Sequence, residues 1–322
     1  MLIGVLIGVA ITAAVVVVVR TDLTGETTQP PPAYLYDIKG YRKTDPKLVQ
    51  FREVGSFPTE MKALRAIATD AQDRIYIAGD KAIRVFRGDD EGLAEFRQIS
   101  LAGEPHCLAV APDGTLYVGM IDHVEVLDPK GERKAAWEGL GAAAVVTSIA
   151  VSAEHVFVAD AGNRVVVHYD TSGKLVGRIG KKDPNRNIPG FFIPSPCFDV
   201  AVGPDGLLWV ADTGRHRLQG YTFDGDLEAS WGKEATSMGY DGFSGCCNPA
   251  AFTILPDGRF VTAEKGLPRV KVCKQDGTLE GVVVGPEQFS DDGHGIDVAA
   301  DSQGRILVLD PSHKSVRVFA RK

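Results

Sequence analysis

Residues 190–232 read GFFIPSPCFDVAVGPDGLLWVADTGRHRLQGYTFDGDLEASWG, and their pattern decides the fold. A β-branched run (Val200–Val202) meets a Pro-Asp-Gly turn, and an apolar run (Leu208–Asp212) follows it. A polar turn leads to a third run (Arg217–Tyr221), and Asp224-Gly225 turns the chain into a fourth (227–232). Short β-rich runs bounded by Gly, Pro and Asp clusters are antiparallel strands joined by tight turns.

The same phrase recurs along the chain. It appears as AIATDAQDRIYIAG (66–79), LAVAPDGTLYVGM (108–120), IAVSAEHVFVAD (149–160), FTILPDGRFVTAE (252–264) and VAADSQGRILVLD (298–310). With Ile67, Leu108, Ile149, Val200, Phe252 and Val298 as anchors, the intervals are 41, 41, 51, 52 and 46 residues. Six four-stranded units at that period predict an all-β, six-bladed β-propeller, which leaves only short edges. The last unit ends at Phe319-Ala-Arg-Lys without a fourth strand. Residues 48–54 (LVQFREV) are expected to supply it and close the ring, so their deletion is expected to unfold the domain.

The flanking sequence is of another kind. Residues 2–19 form an uninterrupted apolar run ended by Arg20, long enough for one transmembrane helix. No basic segment precedes it and no small-residue cleavage site follows, so an uncleaved anchor is expected. Residues 20–33, with threonines and a proline triplet, read as a flexible linker, and 34–322 as the propeller domain. The basic residues after the anchor favour a cytoplasmic domain, but large domains translocate regardless of such charges. A single-pass membrane protein with an extracytoplasmic propeller is the expectation. The net charge of −7 and pI near 5.6 argue against a nucleic-acid partner, and none is expected. Five cysteines cannot all pair with one another.

Residues 158–180 (VADAGNRVVVHYDTSGKLVGRIG) and 190–232 resemble consecutive NHL repeats. That family runs through Phe and Pro before the first strand, then PDG, VAD, an Asn/His-Arg turn and an aromatic before DG. The resemblance covers nearly all of residues 48–322. It is strong in the third and fourth units, and the first two lack the VAD and Arg elements. The chain also resembles bacterial membrane-anchored NHL-repeat proteins carrying a Gly-Cys-Cys-Asn-Pro signature, here Gly245–Pro249. The resemblance implies the propeller and no particular reaction.

Propeller geometry puts the loop leading into each innermost strand on the same face as the turn between strands two and three. The longest such loops fall in the fourth and fifth units, and long loops on a rigid scaffold are where function concentrates. By repeat alignment Cys197, Cys246, Cys247 and His294 approach the central funnel from adjacent blades, with His106 opposite. Thiolates and imidazoles together suit a zinc, copper or iron ion. A vicinal disulfide, a pairing with Cys197, or inert thiols stand beside it as alternatives, because no CxxC spacing is present. Cys107 and Cys273 are expected in the core.

Asp160, Asp212 and Glu264, with Asp310, end strand two in four successive blades. As a ligand-binding set they would form an acidic ring. As structural groups they would cap their own turns or pair with Arg164, Arg217, Arg269 and Arg317. Arg215 and His216 add a cationic spot on the same face. No G-x-S-x-G elbow, P-loop or dinucleotide fingerprint is present. The leading expectation is a binding or scaffolding module for a protein, peptide or glycan. A metal or redox site at the funnel is the alternative. A metal-dependent hydrolase or lyase comes last: six-bladed lyases use histidines in register, whereas His106 and His294 are out of register by two residues.

Overall fold

The computed structural model describes residues 39–322 except 90, 91, 291, 292 and 294. The expected anchor (2–19), the linker (20–33) and His294 lie outside the described residues. No helix among the described residues is long and apolar enough to cross a membrane.

Six four-stranded antiparallel sheets account for nearly all of the regular structure. From inside outwards, blade 1 is Ala66–Thr69, Ile75–Gly79, Ala82–Asp89 and Gly92–Ser100. Blade 2 is Cys107–Val110, Leu116–Gly119, Val124–Leu127 and Arg133–Ala136. Blade 3 is Val146–Val151, His155–Asp160, Val165–Asp170 and Leu175–Ile179. Blade 4 is Val200–Val202, Leu208–Asp212, Arg217–Tyr221 and Leu227–Trp231. Blade 5 is Ala251–Ile254, Phe260–Glu264, Arg269–Cys273 and Leu279–Val284. The innermost strands touch their neighbours in a closed ring, including the last with the first.

Blade 6 joins the two ends of the domain. Its inner strands are Asp297–Ala300, Ile306–Asp310 and Ser315–Arg321, and its outer strand is Phe51–Pro58. Closure by an N-terminal strand is as expected, but the strand lies three residues further on than 48–54. Asp45 caps a 3₁₀ turn at Pro46–Leu48, accepting from Lys47 N at 2.9 Å, and this holds Leu48 out of the strand. Val49 instead makes a single parallel bridge to Val282 of blade 5. The ladder then runs from Phe51↔Arg321 to Pro58↔Ser315.

The turns follow from residue type. In Pro112-Asp113-Gly114 and Pro204-Asp205-Gly206 the glycines have φ of 85° and 78°, a region that costs glycine nothing. Each Asp accepts the amide two residues on, at 2.9 Å from Thr115 and 3.1 Å from Leu207. The second strands are covered on both faces by neighbouring blades, so they read as apolar runs such as Ile75–Gly79 rather than as alternations. The outer strand of blade 2 shows the reverse, and all four residues of Arg133–Ala136 are exposed. Burial is divided into six clusters, each shared by two successive blades. Phe157 and Val158 look to opposite sides of blade 3, towards blades 4 and 2 respectively. Cys107 and Cys273 lie in two of these clusters, as expected.

Candidate functional site

The acidic column is structural in its bonding. Asp160 accepts from Val145 N at 3.0 Å, Asp212 from Phe192 N at 2.9 Å, and Glu264 from Ser244 N at 2.8 Å. In blade 1, Asp80 accepts from Lys62 N and Ala63 N. In each case the carboxylate pins the loop that leads into its own blade. Asp160, Asp212 and Glu264 are at most 1% exposed, so a ligand on the face meets the loops they hold and not the carboxylates.

Their cationic partners are only partly those expected. Glu264 pairs with Arg269 in two bonds of 2.9 Å and with Lys271 Nζ at 2.9 Å. Burial alone would raise its pKa, and Lys271 and Arg269 outweigh it and hold the carboxyl below its usual range. Asp310 has Arg317 at 3.7 Å, but its hydrogen bonds come from Ser312 and His313. Asp212 pairs with Arg215 at 2.5 Å and not with Arg217. Asp160 is satisfied by Asn163 and not by Arg164. Arg215 and His216 are therefore engaged: Arg215 also donates to Gly190 O, and His216 Nε2 donates to Gly245 O at 2.7 Å.

That last bond leads into Gly245-Cys246-Cys247-Asn248-Pro249. Asn248 is fully buried. It donates to the carbonyls of Ser244 and Lys265, and its Oδ1 accepts from Lys265 N at 3.0 Å, which clamps the loop to the blade 5 turn. The clamped loop holds Cys247 at φ 64°, a left-handed conformation that costs a non-glycine residue about 1–3 kcal/mol. Cys246 is exposed, Cys247 is buried and Cys197 is half-buried; all five cysteines are free thiols. Burial raises the Cys247 thiol above its ordinary value. Ser195, hydrogen-bonded to it, and the Lys265 ammonium act against that, while Cys246 adds to it. Cys197 lies beside this group through its amide, which donates to Ser195 O at 2.7 Å. Among the described residues no three His, Cys, Asp or Glu side chains converge as metal ligands.

Beneath the loops the innermost strands enclose a central cavity of about 680 Å³. The residue before each repeat anchor lines it: Ala66, Cys107, Ser148, Asp199, Ala251 and Asp297. Three of these reach the next blade's anchor amide. Ser148 Oγ accepts from Val200 N at 3.3 Å, Asp199 Oδ2 from Phe252 N at 2.6 Å, and Asp297 Oδ2 from Ile67 N at 2.9 Å. Burial raises both carboxyls well above the usual carboxylate range, and for Asp297 the charge of Asp199 adds to it. Burial also pushes the Cys107 thiol up, with the two carboxylates contributing. His106 lines the same cavity, and its imidazole is lowered by burial and by Arg65. Lys265 and Cys197 stand at the cavity wall below the blade 5 loop.

Sequence patterning did not single out Asp199 and Asp297. The signal was present in FDVAV and GIDVAA, where Asp occupies one column of the repeat alignment, immediately before the anchor.

The NHL repeat is matched over residues 199–221, from Asp199 to Tyr221 of blade 4. No curated protein is similar to the chain in sequence. Among solved structures, a streptogramin B lyase superposes with a TM-score of 0.58 at 12% identity, covering 84% of this chain and 98% of that one. The virginiamycin B lyase of Staphylococcus aureus gives 0.55 at 12% identity, over 84% and 100%. The WD40 β-propeller domain of Doa1 gives 0.58 at 15% identity, over 85% and 98%. Likeness at these identities concerns the fold alone. The chain is a six-bladed β-propeller whose fourth blade carries an NHL repeat.

Proposed function

We propose that this chain is a binding propeller, tethered to a membrane by residues 2–19, with its propeller on the extracytoplasmic side. Its loop face receives a protein, peptide or glycan. The observation that carries this reading is the pinning of lead-in loops by carboxylates in blades 1, 3, 4 and 5, the last three of them buried. Loops held in this way do not need ordering when a partner arrives, which removes a large part of the cost of association. Phe192 illustrates the result. Asp212 holds its amide, its carbonyl accepts from Gly214 N at 2.9 Å, and its ring is 48% exposed. A fixed, exposed aromatic ring suits an anchor in a recognition face. Ile121, 47% exposed at the cavity wall, is a second exposed apolar side chain.

Cross-linking the full chain in native membranes tests the reading. The expected result is a reproducible partner whose recovery falls at least tenfold on Phe192→Ala, in keeping with an anchor worth about 2 kcal/mol. Failure to recover any reproducible partner would overturn it.

Two further readings attach to specific residues. A zinc, copper or iron ion held by Cys197, Cys246, Cys247 and His294 predicts near-stoichiometric metal, lost on Cys246→Ala. Elemental analysis of the purified chain decides this. A lyase or hydrolase would draw on the cavity, where His106, Asp199 and Asp297 have shifted titration, a frequent mark of reactive sites. Absence of turnover on streptogramin B and lactone panels would dispose of it.

A further inference from the structure

We propose that Cys246 and Cys247 form a thiol–disulfide exchange site, which takes an external disulfide as substrate and closes to a vicinal disulfide. The argument rests on how the fold differentiates two adjacent and chemically identical residues. Cys246 is exposed, so a disulfide of a small molecule or of an extended peptide can reach its sulfur. Cys247 is 3% exposed and so cannot be attacked from solvent, yet it is the residue directly bonded to Cys246 along the chain, turned inward at φ 64°. One thiol is thus placed to attack and the other to resolve. Lys265 Nζ donates to Ser195 Oγ at 3.4 Å and supplies positive charge on the same side of the loop.

The chemistry balances without any further reactant. The sulfur of Cys246, as thiolate, attacks one sulfur of the substrate disulfide, and the substrate S–S bond breaks as a mixed disulfide forms. The first substrate half leaves as a thiol, taking up the proton given up by Cys246. Cys247 then attacks the Cys246 sulfur, the mixed disulfide breaks, and the second half leaves as a thiol with the proton of Cys247. The substrate disulfide is reduced by two electrons and the cysteine pair is oxidised by two.

Geometry gives the product the character of a switch. The Cys246–Cys247 peptide is trans, so the two Cα atoms stand about 3.8 Å apart, short of the roughly 4.4 Å at which ordinary disulfides begin. A disulfide across that span is strained and is easily returned to the dithiol by ordinary thiols. Closing it must alter the backbone at Cys247, which is already in the left-handed region. The adjoining Asn248 and Gly245 tie the loop to the blade 5 turn and to His216 of blade 4. A change there is passed to two neighbouring blades on the proposed recognition face, next to the cavity wall at Cys197 and Lys265. The proposal does not depend on a partner being found, because exchange is read on the chain alone.

The test is a titration of the full chain with oxidised glutathione against reduced glutathione, followed by acid quenching, alkylation of remaining thiols and peptide mapping. The expected result is reversible loss of the two thiols at 246 and 247, their joining within one peptide, and three thiols unchanged. Cys247→Ser should halt at a stable glutathione adduct on Cys246, because no resolving thiol remains. Cys246→Ser should leave position 247 unmodified. Cys197→Ser should behave as the parent, because Cys197 takes no part in the exchange. A bond from Cys197 to either residue, a glutathione adduct that persists on the unmutated chain, or no loss of thiols at any glutathione ratio would each overturn the proposal.

Discussion

Glu264 and the pair Asp199–Asp297 are acids withdrawn from bulk water at two levels of the same propeller, and they are held in opposite ways. Glu264 sits in the turn layer of blade 5, with Arg269 and Lys271 against it. Arg269 is itself fully buried and passes its other donors to the carbonyls of Met238 and Gly239. Lys271 donates to Gly242 O and lies over the Phe243 ring. Every charge in that cluster has a partner of opposite sign. Asp199 and Asp297 face the cavity with main-chain amides as their partners. Amides satisfy lone pairs but do not neutralise a charge, so there the proton affinity is raised. The first arrangement locks a loop; the second leaves two carboxyls of raised proton affinity facing a 680 Å³ space.

The contrast is sharpest under mutation of Glu264. Glu264→Ala leaves Arg269 and Lys271 as uncompensated buried cations, and removal of one partner from such a cluster costs about 3–5 kcal/mol. A urea unfolding midpoint lowered accordingly is expected, together with loosening of the Ser244–Pro249 loop. A loss below about 1 kcal/mol would mean that the cations find other acceptors, and that the lock is not electrostatic.

Acid titration of stability separates the two regions by sign. The Glu264 contribution is fully present above its unfolded pKa of about 4.3 and is lost as pH falls through its lower folded value. Asp199 and Asp297 behave in reverse. Their contribution is fully present below an unfolded pKa of about 3.9 and is lost as pH rises through their raised folded values. Asp297→Asn should therefore flatten the decline in stability between mildly acidic and neutral pH, by roughly 1.4 kcal/mol for every tenfold difference in proton affinity between the folded and unfolded chain. Unfolding curves of the parent and the variant with the same pH slope would break the comparison.

Smaller effects belong to acids that are buried but paired at the surface. Arg215→Ala removes the cation from Asp212, but the Arg215 side chain is 35% exposed and solvent screens the pair. A loss of about 1 kcal/mol is expected, with increased hydrogen exchange near Gly190–Phe192. The more exposed pair Arg186–Asp226 sets the baseline, and Arg186→Ala should change stability by less than about 0.5 kcal/mol.

Blade number and strand order were legible in the sequence because turn chemistry is local: an Asp two residues before the amide it caps leaves its mark on adjacent positions. Closure by an N-terminal strand was legible by elimination, but its register was not. Residues 48–54 have strand-like composition throughout, and only the cap at Asp45 and the length of Ser315–Arg321 place the ladder at 51–58. The pairing of Glu264 with Arg269 follows from their cross-strand register. Asp212 and Arg217 are also opposite each other, yet Arg215 reaches Asp212 from a 3₁₀ turn whose local geometry the sequence does not announce. The cavity acids were missed for a different reason. They act between blades, on the amides of residues 53 and 230 positions away, and a reading organised around hairpins does not look there.

The composite sixth blade fixes the order in which the ring can be completed. Glu53 and Arg317 meet across a separation of 264 residues, so the outermost strand of that blade has no partner until nearly the whole domain has been synthesised. The inner five blades can form in sequence as they emerge, each from a continuous stretch of chain. Phe51–Pro58 has to wait with its hydrogen-bonding edge uncovered, and the last loop to close is the longest in the molecule, with the slow search that such closure entails. The seam at which the ring is sealed is then also where it opens first when pulled by its ends, since tension on either terminus acts on the same short antiparallel ladder.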